Sequence, residues 1–144
     1  IVSTFYAKKF KVNIVILRLF NVYGPNQKKG MLIPDILEKR TRDKIILKNP
    51  YPKRDYVHIN DVVEAIIEAM DLKSSQVINI GTGVSYSVEQ VARILCKDKP
   101  LVFLDPSLVK SDSRADITRA KHLLGWEPKI SLKEGLKNLN QLII

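Results

Sequence analysis

Asn21, Arg54 and Arg114 are the residues of this chain best suited to hold an anion, and each falls where an apolar run gives way to a loop. Asn21 follows the run Asn13-Ile-Val-Ile-Leu-Arg-Leu-Phe20. Parallel sheets present ligand groups at such strand ends, and an Asn amide offers both donors and an acceptor. The same residue type also forms turns without any ligand. Arg54 stands between a proline-rich loop and a short strand, and its planar fork suits phosphate oxygens better than a lysine's point charge. Asp55 beside it is the competing partner. Arg114 lies two residues before Asp116, which can cap a helix, and an arginine beside a helix N-terminus holds an anion well. A salt bridge to Asp112 or Asp116 is the alternative there.

Other residues point away from catalysis. Arg18 interrupts an otherwise apolar strand, where a buried guanidinium needs a partner, so a structural ion pair is expected. His58 has no His, Cys or carboxylate at ligand spacing and reads as a packing histidine. Gly81-Thr82-Gly83 resembles part of a phosphate loop but lacks the third glycine and the Lys-Ser/Thr that follow in such loops, so a strand-to-helix turn is expected. No Ser/His/Asp set, nucleophilic Cys with a base, or carboxylate pair in apolar surroundings is present. Local features support anion binding.

Elements must position these groups, and the composition allows them. The chain has 144 residues, 45% of them hydrophobic and 27% charged, enough for one domain with a real core. Its net charge of +9 suggests an anionic partner. The basic residues are dispersed, the densest cluster (Glu38 to Lys44) is broken by acids, and no aromatic-studded basic strand appears, so nucleic acid is not expected. No run approaches the ~20 apolar residues of a membrane span. The single Cys96 excludes an internal disulfide, reads as a core residue, and suits a reducing compartment, hence a cytoplasmic location.

The hydrophobic period predicts an α/β order. Residues 2–10 read as the end of an amphipathic helix that begins upstream of Ile1. Residues 13–20 read as a strand buried on both faces, 21–30 as a loop, 31–40 as a helix, 44–48 as a strand, and 49–53 as a loop. A strand over 55–59, a helix over 60–70 and a strand over 76–80 follow. Ser87 and Gln90 form a capping box for a helix with Val88, Val91, Ala92 and Leu95 inward. After a strand over 101–104, Asp116 caps a helix that Gly125 terminates. Ser131 and Glu134 form a second capping box, opening a helix with Leu132, Leu136, Leu139 and Ile143 inward.

Four ordered blocks carry a resemblance: Arg18-Leu-Phe-Asn-Val-Tyr-Gly-Pro25, Arg54-Asp-Tyr-Val-His-Ile-Asn-Asp-Val62, Asn79-Ile-Gly-Thr-Gly83, and Asp116-Ile-Thr-Arg-Ala-Lys121 leading into Leu124-Gly-Trp-Glu-Pro128. Together they resemble the C-terminal half of the extended short-chain dehydrogenase/reductases, specifically the NAD-dependent nucleotide-sugar epimerases and dehydratases, with the UDP-glucose 4-epimerase-like members nearest. The resemblance implies that residues 1–144 are the end of a Rossmann core plus a small substrate-binding subdomain. An N-terminal NAD-binding half, carrying a glycine-rich loop and a Tyr-x-x-x-Lys pair, is not in this sequence. Tyr6 does not match that tyrosine, because Phe10 stands where the lysine would be.

By the resemblance, Asn21 contacts the sugar nucleotide near its phosphates, Arg54 binds the diphosphate, Arg114 binds the phosphate or ribose, and Leu32, Ile45 and Leu47 pack around the base. Phe20 borders the nicotinamide, and Asp61 and Trp126 are a helix cap and a core anchor. Leu47-Lys48-Asn49-Pro50 departs from the family's aromatic-Gly-Asp-Gly, placing a leucine where relatives carry an aromatic ring. The implied cofactor is NAD, the implied ligand a UDP-sugar, and the implied assembly a homodimer of the whole protein. Dehydratase and decarboxylase activities of the same family, or a non-catalytic binding module, are the alternatives.

Overall fold

Strands and helices alternate along the chain in the computed structural model, which describes residues 2–106 and 111–141. Helix α1 (Val2–Phe10) leads into β1 (Val15–Leu19), β2 (Asn21–Tyr23), α2 (Leu32–Lys39), β3 (Ile45–Leu47) and β4 (Lys53–His58). There follow α3 (Ile59–Ala69), β5 (Gln76–Ile80), β6 (Ser85–Ser87), α4 (Val88–Leu95), β7 (Leu101–Phe103), β8 (Asp112–Ser113), α5 (Thr118–Leu124) and α6 (Leu132–Gln141). Ile1, and Ile143 among the predicted core positions, lie outside the described residues.

Strands β1 and β5 pair in parallel, from Val15 opposite Gln76 to Leu19 opposite Ile80. Strand β4 organises a second sheet. Its Tyr56, Val57 and His58 run parallel to β2, its Lys53, Arg54 and Asp55 run antiparallel to β6, and Lys53 and Arg54 also pair in parallel with β8. A separate parallel pair joins β3 to β7. Parallel strands linked through helices give the α/β class the pattern predicts.

Alternation along β4 divides the core in two. Tyr56 joins Tyr23, Ile36, Ile45, Val91 and Leu136 in one cluster, under α2, α4 and α6. Val57, the next residue, joins Val62, Ile78, Ile80 and Trp126 in the other, around the β1–β5 pair. Successive strand residues point to opposite faces, so one six-residue strand serves both cores.

The signals at Ser87 and Gly125 act as expected. Ser87 Oγ accepts from the Gln90 N–H at 3.1 Å while Gln90 Oε1 accepts from the Ser87 N–H at 2.8 Å, opening α4. Gly125 ends α5 in the left-handed region at φ 61°. The box expected at Ser131 is half formed: Ser131 Oγ accepts from the Glu134 N–H at 3.3 Å at the start of α6, with no return bond to the Glu134 carboxylate among the described residues. Cys96 is buried, and Trp126 is 3% exposed with its indole N–H donating to Asp61 O at 2.9 Å.

Three expectations are corrected. The first strand is not covered on both faces: Arg18 is exposed, and Leu19 is 46% exposed. Among the described residues β1 pairs only with β5, so Arg18 reaches solvent and forms no ion pair there. Next, Asn21–Tyr23 is a strand rather than a loop. Phe20 N–H still donates to Ile80 O at 2.9 Å, after which the chain leaves β5 and pairs with β4. Three residues are too few to display a period. Finally, Asp61 is not the cap of α3. His58 caps it, with Nδ1 accepting from the Asn60 N–H at 3.2 Å. Asp61, 2% exposed, instead accepts from the N–H groups of Lys129 (3.2 Å) and Ile130 (3.1 Å), fastening the 126–130 segment onto α3.

Helix α3 is apolar on more than its core side, with Val63, Ile66 and Ile67 exposed, as is Met70 just after it. No helix among the described residues is long and apolar enough to cross a membrane.

Candidate functional site

The switch from β1 to β2 sets Phe20 and Asn21 at the rim of a cleft of about 470 Å³. Leu32 enters from the start of α2, and Arg54 and Tyr56 from alternate positions on β4. Asn21 Nδ2 donates to Asp55 O at 3.0 Å, which fixes the carboxamide and leaves its oxygen without a partner among the described residues. Arg54 uses Nη1 to donate to Lys53 O (2.7 Å) and Ser111 Oγ (2.9 Å). Its Nε and Nη2 donors carry no partner among the described residues. A fork held at one nitrogen and open at the others is oriented for an oxyanion.

Helix α2 adds a third electropositive feature. Its N-cap, Met31, has no side chain able to cap, and no side-chain cap bond forms. The N–H groups of the first helical turn have no acceptor inside a helix, and none among the described residues replaces one for Leu32 or Ile33. Pro34 fits at this turn because its missing N–H would be unused there. Asp35 Oδ1 accepts from the Gly30 N–H at 3.0 Å, holding the entering loop against the helix. Guanidinium, carboxamide and helix N-terminus thus border one cleft, groups whose chemistry suits an oxyanion.

Not every predicted residue reaches it. Ile45 and Leu47 are 0% and 6% exposed and belong to the core beneath, away from the cleft lining. Arg114 borders a different depression, with Thr82, Gly83, Lys121 and His122. Arg114 thus lines a depression other than the one that Asn21 and Arg54 line. Ser113 is the residue in register with Arg54. One position later the backbone turns toward Asp55, to which the Ala115 N–H donates at 3.1 Å. Arg114 forms no ion pair with Asp112 or Asp116 among the described residues. The Asp116 carboxylate accepts from the Thr118 N–H at 3.0 Å, and its bonds to Thr118 hold its pKa below the ordinary carboxylate value.

Asp55 has a role the sequence concealed. It is fully buried, and it accepts from Thr82 N–H (2.8 Å), Thr82 Oγ1 (2.7 Å), Gly83 N–H (2.9 Å) and Ala115 N–H (3.1 Å). It is not Arg54's partner. The Gly81-Thr82-Gly83 segment is a β5–β6 turn whose amides this carboxylate occupies, so they are not available to cradle a phosphate. Gly81 is required by the close approach, since a Cβ there would lie 2.6 Å from Ala115 Cβ and 2.9 Å from Asp55 Oδ2.

Sequence reasoning missed two lining residues with polar side chains. Tyr56 is 7% exposed and looked like an ordinary inward strand position. Gln27 donates from Nε2 to Val22 O at 2.9 Å, and its Oε1 is sealed from solvent without a partner. Only the alternation with Arg54 could have flagged Tyr56, and nothing in the loop composition marks Gln27. His58 packs edge-on against Tyr23, ring centroids 5.3 Å apart, as a packing histidine should. Among the described residues no group of His, Cys, Asp or Glu is placed to hold a metal ion. The cleft can bind and orient; it offers no acid–base pair.

Known proteins place this geometry in context. The model of the NAD dependent epimerase/dehydratase family matches residues 2–81. An uncharacterized UDP-glucose epimerase of Bacillus subtilis is 32% identical over 142 residues, covering 92% of this chain and 45% of that relative. UDP-glucuronic acid decarboxylase 6 of Arabidopsis thaliana is 28% identical over 143 residues, covering 91% and 41%. The solved UDP-glucose 4-epimerase of Thermotoga maritima, with UDP-glucose, matches with a TM-score of 0.86 at 35% identity, covering 99% of this chain and 49% of that one. The UDP-glucuronic acid 4-epimerase of Bacillus cereus, in complex with UDP-glucuronic acid and NAD, matches with a TM-score of 0.81 at 28% identity, covering 98% and 49%. The chain spans about half the length of the relatives it matches.

Proposed function

Because this chain belongs to the NAD dependent epimerase/dehydratase family, we propose that it is the substrate-holding C-terminal portion of a nucleotide-sugar epimerase, working on a UDP-sugar. The observation that carries this reading is the meeting of Arg54, Asn21 and the uncapped start of α2 at one cleft. Arg54 and the Leu32 and Ile33 amides hold the diphosphate, and the Asn21 carboxamide, fixed on Asp55 O, orients it. Phe20, at the exit of β1, borders the side from which a nicotinamide approaches. Fixing the diphosphate positions the sugar, and positioning is the contribution this chain makes to rate. Ile45 and Leu47 support the cleft from the core. Arg114 stays a candidate for contacts at the neighbouring depression.

NAD, when bound, would take a hydride from the sugar and return it. The glycine-containing turn that most resembles a cradle for the dinucleotide's pyrophosphate has its Thr82 and Gly83 amides occupied by Asp55, and the α2 start is assigned to the sugar nucleotide. We therefore assign NAD binding and proton transfer mainly to residues beyond this chain, in a protein of the relatives' length. The exposed faces of α1 and α3 and the open edge of β1 support that reading, being surfaces a further Rossmann half would cover. A homodimer of the whole protein and a cytoplasmic site of action complete the proposal, the latter supported by the lone buried thiol.

Titration calorimetry of the 144-residue chain with UDP-glucose tests the site: binding that Arg54→Ala weakens supports it, and no binding overturns it. The same chain should turn over no UDP-glucose; measurable epimerisation would overturn the division of labour. A decarboxylase is the second reading, favoured by the plant relative. Product analysis of the whole protein with UDP-glucose and UDP-glucuronate separates the two.

A further inference from the structure

Tyr56 is the least expected member of the cleft. Tyr56 belongs to the core cluster that also holds Tyr23, Ile33 and Leu47 and is only 7% exposed, yet it contributes to the cleft lining beside Arg54. Its hydroxyl has no hydrogen-bond partner among the described residues. Nor is it sealed: among the described residues, the one buried side-chain polar atom without access to solvent or a partner is Gln27 Oε1. What remains accessible of Tyr56 therefore includes its polar tip. Buried tyrosines ordinarily direct that group to an acceptor, and a buried ring that leaves it open reserves a donor.

The surroundings define the acceptor. Register places Asn21 opposite Tyr56 on β2, and Arg54 is two residues earlier on β4, hence on the same face. We propose that the Tyr56 hydroxyl donates a hydrogen bond to a diphosphate oxygen of the bound nucleotide, making Tyr56 a binding residue alongside Arg54. The assignment rests on the nucleotide-sugar reading of the cleft. A neutral phenol is the required form, and burial holds it there by raising the Tyr56 pKa above 10.0, against a smaller opposing pull from Arg54. The other buried tyrosine of this core, Tyr23, is turned to Ser131 O and does not line the cleft.

Tyr56→Phe removes only the oxygen. Calorimetry with UDP should show about tenfold weaker binding, the scale of one hydrogen bond to a charged group. The denaturant midpoint of the unliganded chain should stay unchanged, because the hydroxyl has no partner to lose. In unaltered protein labelled with 13Cζ-tyrosine, UDP should shift the Tyr56 resonance and leave that of Tyr23 in place. Unchanged UDP affinity in Tyr56→Phe, with Arg54→Ala still impaired, overturns this assignment and leaves the site reading standing. A lowered midpoint overturns it too, by revealing a bond already made within the protein. Absence of UDP binding by the unaltered chain overturns the site reading and this inference together.

Discussion

The two faces of β4 treat their polar groups in opposite ways. On one, the Asp55 carboxylate is fully buried and takes four hydrogen bonds from residues 82, 83 and 115. On the other, Arg54 keeps two of its three nitrogens open and Tyr56 keeps its hydroxyl open, beside a helix whose first amides have no cap. A satisfied buried charge fixes structure, because its donors have no alternative partner. Donors left open at a cleft fix no structure in this way, which is the ground for proposing that they meet a ligand. The contrast within three consecutive residues separates scaffold from site more sharply than residue type does, since Arg, Asp and Tyr all serve either purpose elsewhere.

Substitutions can break that contrast. The largest effect is expected for Asp55→Ala, which strands three backbone N–H groups and should cost more than ~3 kcal/mol in denaturant unfolding. Arg54→Ala should do the reverse, leaving stability within about 0.5 kcal/mol while UDP binding weakens by about 1.5–3 kcal/mol. Comparable destabilisation by the two would erase the distinction between the faces. Gly81→Ala is a smaller test of the scaffold side. Its methyl would press on Ala115 and the Asp55 carboxylate and should cost about 1–3 kcal/mol by overpacking, read from the same unfolding curves. A neutral result would mean that the 81–83 turn yields easily and that Asp55 is less firmly held than its bonds imply.

How much of this was legible depended on how local the signal is. Caps and terminators were readable because their chemistry spans three or four residues, as at Ser87, Gly125 and Ser131. The α/β order followed from apolar runs long enough to show a period. The three-residue β2, the antiparallel β6 and the two-residue β8 were not, because such strands are defined by their neighbours alone. The same limit governed the site. Asn21 and Arg54 were marked by their places at run boundaries. Arg114 was marked equally well, yet sits at another depression, because one residue of alternation past Ser113 decides its side. Asp61 matched a helix start but accepts from residues 129 and 130, a partnership across the fold that no window contains. Tyr56 was invisible for the opposite reason: inward strand positions are common, and only a hydroxyl left open distinguishes this one.

The smallest effect sharpens the boundary between the faces, because His58 shares the Arg54 side of β4 yet belongs to the scaffold. Burial lowers its pKa below the ordinary 6.5, outweighing the opposite pull of Asp61. The folded chain therefore takes up the proton less readily than the unfolded one. The stabilisation is complete above pH 6.5 and declines as pH falls through that value toward the folded pKa. Protonation would also remove the Nδ1 acceptor that caps α3 at the Asn60 N–H and would place a cation edge-on against Tyr23. His58→Asn keeps a capping side chain but cannot titrate. Unfolding of both proteins between pH 7.5 and about 5 should therefore diverge, the unaltered chain losing more, while carboxylates common to both cancel in the difference. Parallel curves would mean that His58 titrates alike in both states, and its burial against Tyr23 would then carry no scaffold role of this kind.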